Sequence, residues 1–244
     1  VQFHPTGLYR HGILMSEACR GEGGYLLNNK HERFMERYAK DKMELAPRDL
    51  VSRSEQREID EGRGVEADGQ GIWLDLRHLG RAKIMERLPQ VREIAIDFVG
   101  VDPIDGLVPI QPTAHYSMGG IAANADGQVI ADAQGTPVVG FYAAGEAACI
   151  SVHGANRLGT NSLLEASVFG RRAGYAMANF VKNGAALQPV SGDPAARNRQ
   201  KVKALLDNSG AELVEDIAQD LKTTMTNNCG IFRDEERLRK AMQD

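Results

Sequence analysis

A mixed α/β chain with more than one domain and a helical C-terminal stretch is the fold class the sequence predicts, on three observations. Helix-like and strand-like periods alternate over the first hundred residues, short β-rich runs take over between Pro109 and Gly145, and strand signals vanish after Asn198. With 244 residues, 42% of them hydrophobic and 25% charged, the chain can bury a real core as one large domain or two smaller ones.

In chain order, residues 12–29 are rich in glycine and other small residues, and Glu44-Leu45-Ala46-Pro47-Arg48-Asp49 leads into a helical pattern with Leu50, Val51 and Ile59 on related faces. Pro47 suits a first helical turn, where its missing N–H would have no partner in any case. Gly62, Arg63 and Gly64 close that helix. Ile72-Trp73-Leu74-Asp75-Leu76 alternates as a strand does, and a second helix ends near Phe98. Gln128-Val129-Ile130-Ala131 and Val138-Val139-Gly140-Phe141-Tyr142 read as strands between Gly-Gly and Asp-Gly turns, in a separate domain. Asn161-Ser162 precedes an apolar stretch through Leu163, Leu164, Val168, Phe169, Ala173 and Met177, with a polar residue placed to cap a helix beside a glycine-rich loop. Two Pro and two Gly mark a linker from Gly184 to Pro194, after which Asn198 to Asp244 reads as two or three amphipathic helices.

Several function classes lose support at this level. Lys and Arg number 29 against 33 Asp and Glu, for a net charge of -4, and no basic block stands out, so nothing favours a nucleic-acid or lipid surface. Cys19, Cys149 and Cys229 are odd in number and far apart, which suits reduced thiols, and no zinc-ligand spacing is present. No run of about 18 apolar residues spans a membrane, so any membrane link is expected to come through a partner. The opening Val-Gln-Phe-His-Pro-Thr-Gly lacks an initiator Met and runs from strand-like residues into a turn, and a fragment is the expectation.

Polar groups concentrate in glycine-rich settings at His4-Pro5-Thr6-Gly7, at Ser16-Glu17 ahead of Arg20-Gly21-Glu22-Gly23-Gly24, at His115-Tyr116-Ser117-Met118-Gly119-Gly120, and at His153 through Gly159, with Arg48 a fifth candidate. Two His and two Arg on one cavity would bind a small dianion, because guanidinium forks match carboxylates and imidazoles donate to the remaining oxygens. The competing readings are plain ones: a lone His beside a turn is commonly satisfied by backbone, and Arg48 can pair with Asp49 or Glu44 on a solvated helix end. His11, His31 and His78 read as surface residues. Arg157 differs, since Gly154, Ala155 and Gly159 strip the backbone around it of bulk and an Arg there is costly without a ligand. Thr160-Asn161 stands where a phosphate loop would carry Lys, which rejects nucleotide triphosphates, and the G-x-G-x-x-G dinucleotide fingerprint is missing.

The motifs QFHPTG, SEACRGEGGYLLN, ERFMERYA, ELAPRDLVSR, PTAHYSMGGI, AAGEA and SVHGANRLGTNSLLEASVFGRRAG, in that order from Gln2 to about Ala176, resemble the succinate dehydrogenase and fumarate reductase flavoprotein family, and NCGIFRDEERL continues the likeness more faintly. The resemblance implies an α/β flavoprotein fragment: an FAD-binding, Rossmann-like domain interrupted by an α+β capping domain, then the start of a helical domain. Residues 1–3 would end the first flavin-domain segment, 4–113 form the cap, 114–183 the second flavin-domain segment, and 184–244 the linker and truncated helical domain. The earlier part, with the dinucleotide fingerprint and the His that often bonds covalently to FAD, is not in this sequence.

Carried over residue by residue, the likeness implies that His4, Ser16, His115 and Arg157 bind the substrate carboxylates, that Arg48 transfers the proton and that Glu17 lies in its proton path. Glu146, Ser162 and Leu163 fall on FAD-contacting positions, with Asn161 adjoining them at a helix start; from its strand-end place alone Glu146 is a surface acid or an acceptor for a ribityl hydroxyl. Ser16 departs from the Thr of many members but keeps a hydroxyl. The implied activity is oxidation of succinate to fumarate, with fumarate reduction, then L-aspartate oxidation, as alternatives, and an inert fragment or assembly module as a reading from another class. The implied partners are an iron-sulfur subunit, with membrane anchor subunits indirectly, at the cytoplasmic face of a bacterial inner membrane or the matrix face of a mitochondrial one.

Overall fold

The chain opens with strand β1 (Gln2–Leu8), then α1 (Ala18–Gly21), β2 (Tyr25–Leu27), α2 (Met35–Tyr38), α3 (Arg48–Glu58), β3 (Ile72–Asp75), α4 (Gly80–Arg87), α5 (Pro89–Val99) and β4 (Val108–Tyr116). Four of these form one antiparallel sheet in the order β1-β4-β3-β2. β1 and β4, a hundred residues apart in sequence, lie side by side with His4 opposite Thr113 and Phe3 opposite Ala114. Everything between them is therefore a closed excursion that leaves and returns on neighbouring strands. Gly7 is part of that closure: a Cβ there would collide with the Thr113 side chain and the Gln111 carbonyl.

One hydrophobic core fills the excursion, with Leu8, Met15, Leu26, Phe34, Met35, Ile72, Leu74, Ile84 and Ile110 essentially inaccessible to solvent. Each such side chain contributes about 1.5–3 kcal/mol by its burial. The alternation of the 72–76 run places Ile72, Leu74 and Leu76 inward, as the period of two predicts. The expected helix after Pro47 is α3; Pro47 itself has ψ 145 and stands just before the helix rather than within its first turn. The helical signal ending near Phe98 resolves into two helices, α4 and α5, because Pro89 starts a new one and Gly100, at φ 69, stops it.

Two acids on α3 show how packing decides ionisation. Glu58, with its side chain fully enclosed, accepts hydrogen bonds from Arg63 Nε (2.7 Å), Tyr38 Oη (2.7 Å), Arg37 Nη2 (2.8 Å) and Asn28 Nδ2 (2.9 Å). Burial alone would raise its pKa, but these donors outweigh burial and hold it down to about 2. A depressed carboxylate stabilises the fold above its ordinary value of 4.5, and that stabilisation is lost as pH falls toward 2. Glu58→Gln is expected to cost roughly 3–5 kcal/mol at pH 7, because it leaves two guanidiniums facing a neutral group, and to cost little near pH 2. Urea melts at both pH values measure the difference, and an equal loss at both rejects the account.

Glu55, also on α3 and fully buried, is the opposite case: neither carboxyl oxygen has a hydrogen-bond partner, and burial pushes its pKa well above the usual range while Arg20 only partly opposes this. In the folded state it holds its proton after the unfolded chain has released it, so its effect on stability is increasingly unfavourable as pH rises above 4.5. Glu55→Gln is accordingly expected to raise the melting temperature at pH 8 more than at pH 4.5, and equal shifts at the two pH values reject it.

Beyond β4 come β5 (Ile121–Ala122), β6 (Gln128–Ile130), β7 (Pro137–Tyr142) and β8 (Ala148–Cys149), then α6 (Asn161–Lys182). β5 pairs with β8 in parallel and β6 with β7 antiparallel, which places strands on both predicted β-rich runs. Gly120, at φ 121, makes the turn into β5; a Cβ there would lie 2.5 Å from the Ala147 carbonyl oxygen. Asn161 is the first residue of α6 rather than a residue ahead of it, and Thr160 precedes it at φ 71.

Residues 1–185 and 192–244 are described by this computed structural model, and they divide into two compact units, Val1–Ala173 and Gly174–Asp244. The linker expected from Gly184 to Pro194 falls in part outside the described residues. The second unit holds the end of α6, then α7 (Ala196–Leu206), α8 (Val214–Cys229) and α9 (Glu235–Ala241), in keeping with the amphipathic periodicity. α9 is capped by Asp234, whose carboxylate accepts from Arg237 N at 2.8 Å. All three cysteines are free thiols, and among the described residues no helix is long and apolar enough to cross a membrane.

Candidate functional site

β1 delivers Gln2 and His4, and the end of β4 delivers His115 and Tyr116 beside them. The His4 and His115 rings meet edge to face with centroids 5.2 Å apart. His4 is 3% exposed, yet neither of its ring nitrogens has a hydrogen-bond partner. Burial, then His115 and the Arg48 charge, lowers its pKa to about 4, and burial with Arg48 and Arg157 lowers that of His115. Both imidazoles are thus neutral near pH 7.

The loop ahead of α6 brings Arg157 to the same place. It is 6% exposed, and its Nη2 lies 3.0 Å from His115 Nε2. Arginine has no acceptor, so His115 Nε2 must accept and its proton resides on Nδ1. Arg157 Nη1 donates to Ser162 Oγ at 3.2 Å, and its backbone carbonyl accepts from Gln2 Nε2 at 2.8 Å. Its buried Nε has no partner.

Arg48 is the first residue of α3, where the helix dipole opposes a cation, and Glu17 on the facing turn offsets that conflict by accepting from Arg48 Nε. Glu17 also pairs with the buried Arg20 at 2.7 Å. Burial would raise the Glu17 pKa, but the two guanidiniums prevail and lower it. The plain reading of Arg48 does not hold, because Asp49 pairs with Arg53 and Glu44 with Arg33. Arg48 Nη1 is buried and unpartnered.

The structure therefore gathers His4, His115 and Arg157, with the Arg48–Glu17 pair close enough to act on both imidazoles. Buried donors with no partner are expensive, and those here, on His4, Arg48 and Arg157, have the chemistry of an anion site. Ser16 is exposed, its Oγ accepting from Ala18 N at 3.2 Å. Glu146 accepts from Ser117 N at 2.9 Å, tying the turn before β8 to the His115 segment. Asn161 and Ser162 stand in the first turn of α6, and Leu163 beside them is 68% exposed.

Gly154 and Gly159 have open space where a Cβ would point, so a flat ligand can approach the backbone ahead of α6, whose N–H groups favour negative charge. This setting has the room and the donors for a flat, anionic group such as a flavin.

Sequence reasoning did not single out Gln2, Tyr116 or Glu165. Tyr116 Oη donates to Glu165 Oε2 at 2.8 Å, and His153 Nε2 reaches the same oxygen at 2.7 Å. The available signal was Glu165 itself, the lone acid in the apolar run from Leu163 to Phe169.

The family profile described as FAD binding domain matches residues 1–163. The succinate dehydrogenase flavoprotein subunit of Rickettsia bellii is 45% identical over 98% of this chain, and the 8-methylmenaquinol:fumarate reductase flavoprotein subunit of Wolinella succinogenes 46% identical over 98%. Among solved structures, an E. coli quinol fumarate reductase FrdA variant superimposes on the whole chain with a TM-score of 0.83 at 38% identity. The chain spans 40% of the length of the Rickettsia relative, 38% of the Wolinella one and 43% of the E. coli chain.

Proposed function

Because the chain belongs to the FAD binding domain family, we propose that it is the substrate-handling part of a succinate dehydrogenase flavoprotein subunit, which oxidises succinate to fumarate. The observation that carries this reading is the convergence of His4, His115, Arg48 and Arg157, with unpartnered buried nitrogens on His4, Arg48 and Arg157. A four-carbon dianion needs both carboxylates fixed so that one carbon faces the flavin and its neighbour faces a proton acceptor. Arg157, His115, His4 and Ser16 supply that clamp, and residues 4–113 form the cap that brings His4, Ser16 and Arg48 over the substrate. Glu146, Asn161, Ser162 and Leu163 would hold FAD, which would supply the hydride acceptor when bound.

Arg48 moves the proton at the second carbon, and Glu17, hydrogen-bonded to it and to Arg20, exchanges that proton with solvent. Arginine is normally protonated, so it donates more readily than it accepts. That observation favours a second reading, fumarate reduction by the same residues. In either direction electrons would pass between FAD and an iron-sulfur subunit, with membrane anchor subunits holding the assembly at the cytoplasmic face of a bacterial inner membrane or the matrix face of a mitochondrial one.

The test is anaerobic mixing of the full-length, FAD-loaded protein with succinate or with L-aspartate, following flavin absorbance. Bleaching by succinate alone is expected, and bleaching by aspartate alone overturns the assignment. The same protein should take up protons when it binds malonate at pH 6. Burial first, then Arg48 at both rings and Arg157 at His115, keeps the two imidazoles neutral against the weaker pull of Glu17 at both and Glu146 at His115, and a bound dianion adds a field of the opposite sign. Calorimetry in buffers of different ionisation enthalpy reads the uptake, and a heat that does not depend on the buffer rejects it.

A further inference from the structure

Among the described residues, the contacts of Arg157 share one property: none is with a carboxylate. Its guanidinium meets His115 Nε2 at 3.0 Å, Ser162 Oγ at 3.2 Å and the Leu158 carbonyl at 3.3 Å, all neutral acceptors, and its Cζ lies 4.8 Å from the centre of the Tyr116 ring. A nearly buried arginine would ordinarily be paired with an acid. One is at hand, since Glu165 is 4% exposed and bonded to the far end of the same tyrosine. Tyr116, 7% exposed, contacts both charges, its ring facing the guanidinium and its hydroxyl bonded to the carboxylate.

We propose that Tyr116, anchored by Glu165 and His153, is a positioning residue that holds Arg157 for an external anion and keeps it from pairing with Glu165. The inference rests on the dicarboxylate reading of the site. Two physical effects act together. The ring face attracts the guanidinium without neutralising it, and this attraction grows when the site is desolvated. The hydroxyl, tied to Glu165 Oε2 at 2.8 Å, fixes the ring plane and satisfies the carboxylate, which His153 Nε2 also reaches at 2.7 Å. Burial, with that bond, raises the Tyr116 pKa to about 12, so the phenol remains a donor. Gln2, holding the Arg157 carbonyl at 2.8 Å, fixes the backbone end of the same side chain. With the ring removed, Glu165 becomes a competing internal partner for Arg157, and the anion site loses its fork.

The experiment uses the full-length, FAD-loaded protein and malonate as the probe, with affinity read from the perturbation of flavin absorbance. Tyr116→Leu is expected to weaken malonate about tenfold, and Tyr116→Phe, which keeps the face but frees the acid, about threefold. The discriminating variant is Tyr116→Leu/Glu165→Gln: removing the competing carboxylate should restore most of the lost affinity. A purely structural role for the tyrosine would make the double variant as weak as Tyr116→Leu or weaker. Malonate affinity unchanged in Tyr116→Leu, or no recovery in the double variant, overturns the proposal. If Tyr116→Leu does not retain flavin, the pair Tyr116→Phe and Tyr116→Phe/Glu165→Gln is read the same way, and the absence of a loss followed by recovery overturns it. Failure of the unsubstituted protein to bind malonate defeats the dicarboxylate reading itself, and this proposal with it.

Discussion

Arg157→Ala, made in the full-length, FAD-loaded protein, is expected to weaken malonate or oxaloacetate binding on the order of a hundredfold or more. The size follows from burial. Arg157 is 6% exposed and has no carboxylate partner among the described residues, so its charge is available to a ligand in a setting where water screens little. Truncation removes the fork and strands the groups that faced it, leaving His115 Nε2 and Ser162 Oγ without their donor. Arg157→Lys should recover only a small part of the loss, because an ammonium cannot grip a carboxylate bidentately while holding both acceptors. The measurement is the inhibitor dissociation constant from flavin absorbance, and unchanged inhibition by both diacids in Arg157→Ala would reject the role.

Much of the fold was legible because it is local. The period of two in Ile72 to Leu76, the Pro47 start of α3 and the amphipathic run after Asn198 each depend on neighbours a few residues apart. The misreadings are of the same scale: Pro89 split one expected helix into two, and Pro47 stood a residue outside its own. The candidate site was legible only as separate polar patches. His4 and Arg157 come together because β1 pairs with β4 across a hundred residues and Gln2 reaches the Arg157 carbonyl across 155 positions, contacts for which no periodicity carries a signal. The same limit explains Arg48. By sequence distance Asp49 and Glu44 were its natural partners, yet helix geometry gave Asp49 to Arg53, and the 33–44 contact took Glu44. What remained for Arg48 was Glu17, thirty-one residues away. Glu55 was illegible for the converse reason, since an acid on an amphipathic helix is normally a solvated one.

Replacing Arg48 by Lys should separate chemistry from binding. The variant is expected to lose turnover by at least about a hundredfold, the lower range for removing a positioned proton donor, while malonate affinity stays within a few-fold. Affinity is preserved because Arg157, His115 and His4 remain and because the substitution keeps the positive charge. Turnover is not, because the guanidinium presents two working edges. Its Nε donates to Glu17 while Nη1, buried and unpartnered, points its proton elsewhere. A lysine has a single head that cannot hold Glu17 and reach the substrate carbon in one geometry, so the route from carbon to Glu17 is broken. Pre-steady-state flavin bleaching by succinate, set beside malonate affinity, gives both quantities on one sample. Were affinity to fall in step with an unchanged rate per bound substrate, Arg48 would belong to the clamp and the proton would have to travel by another group.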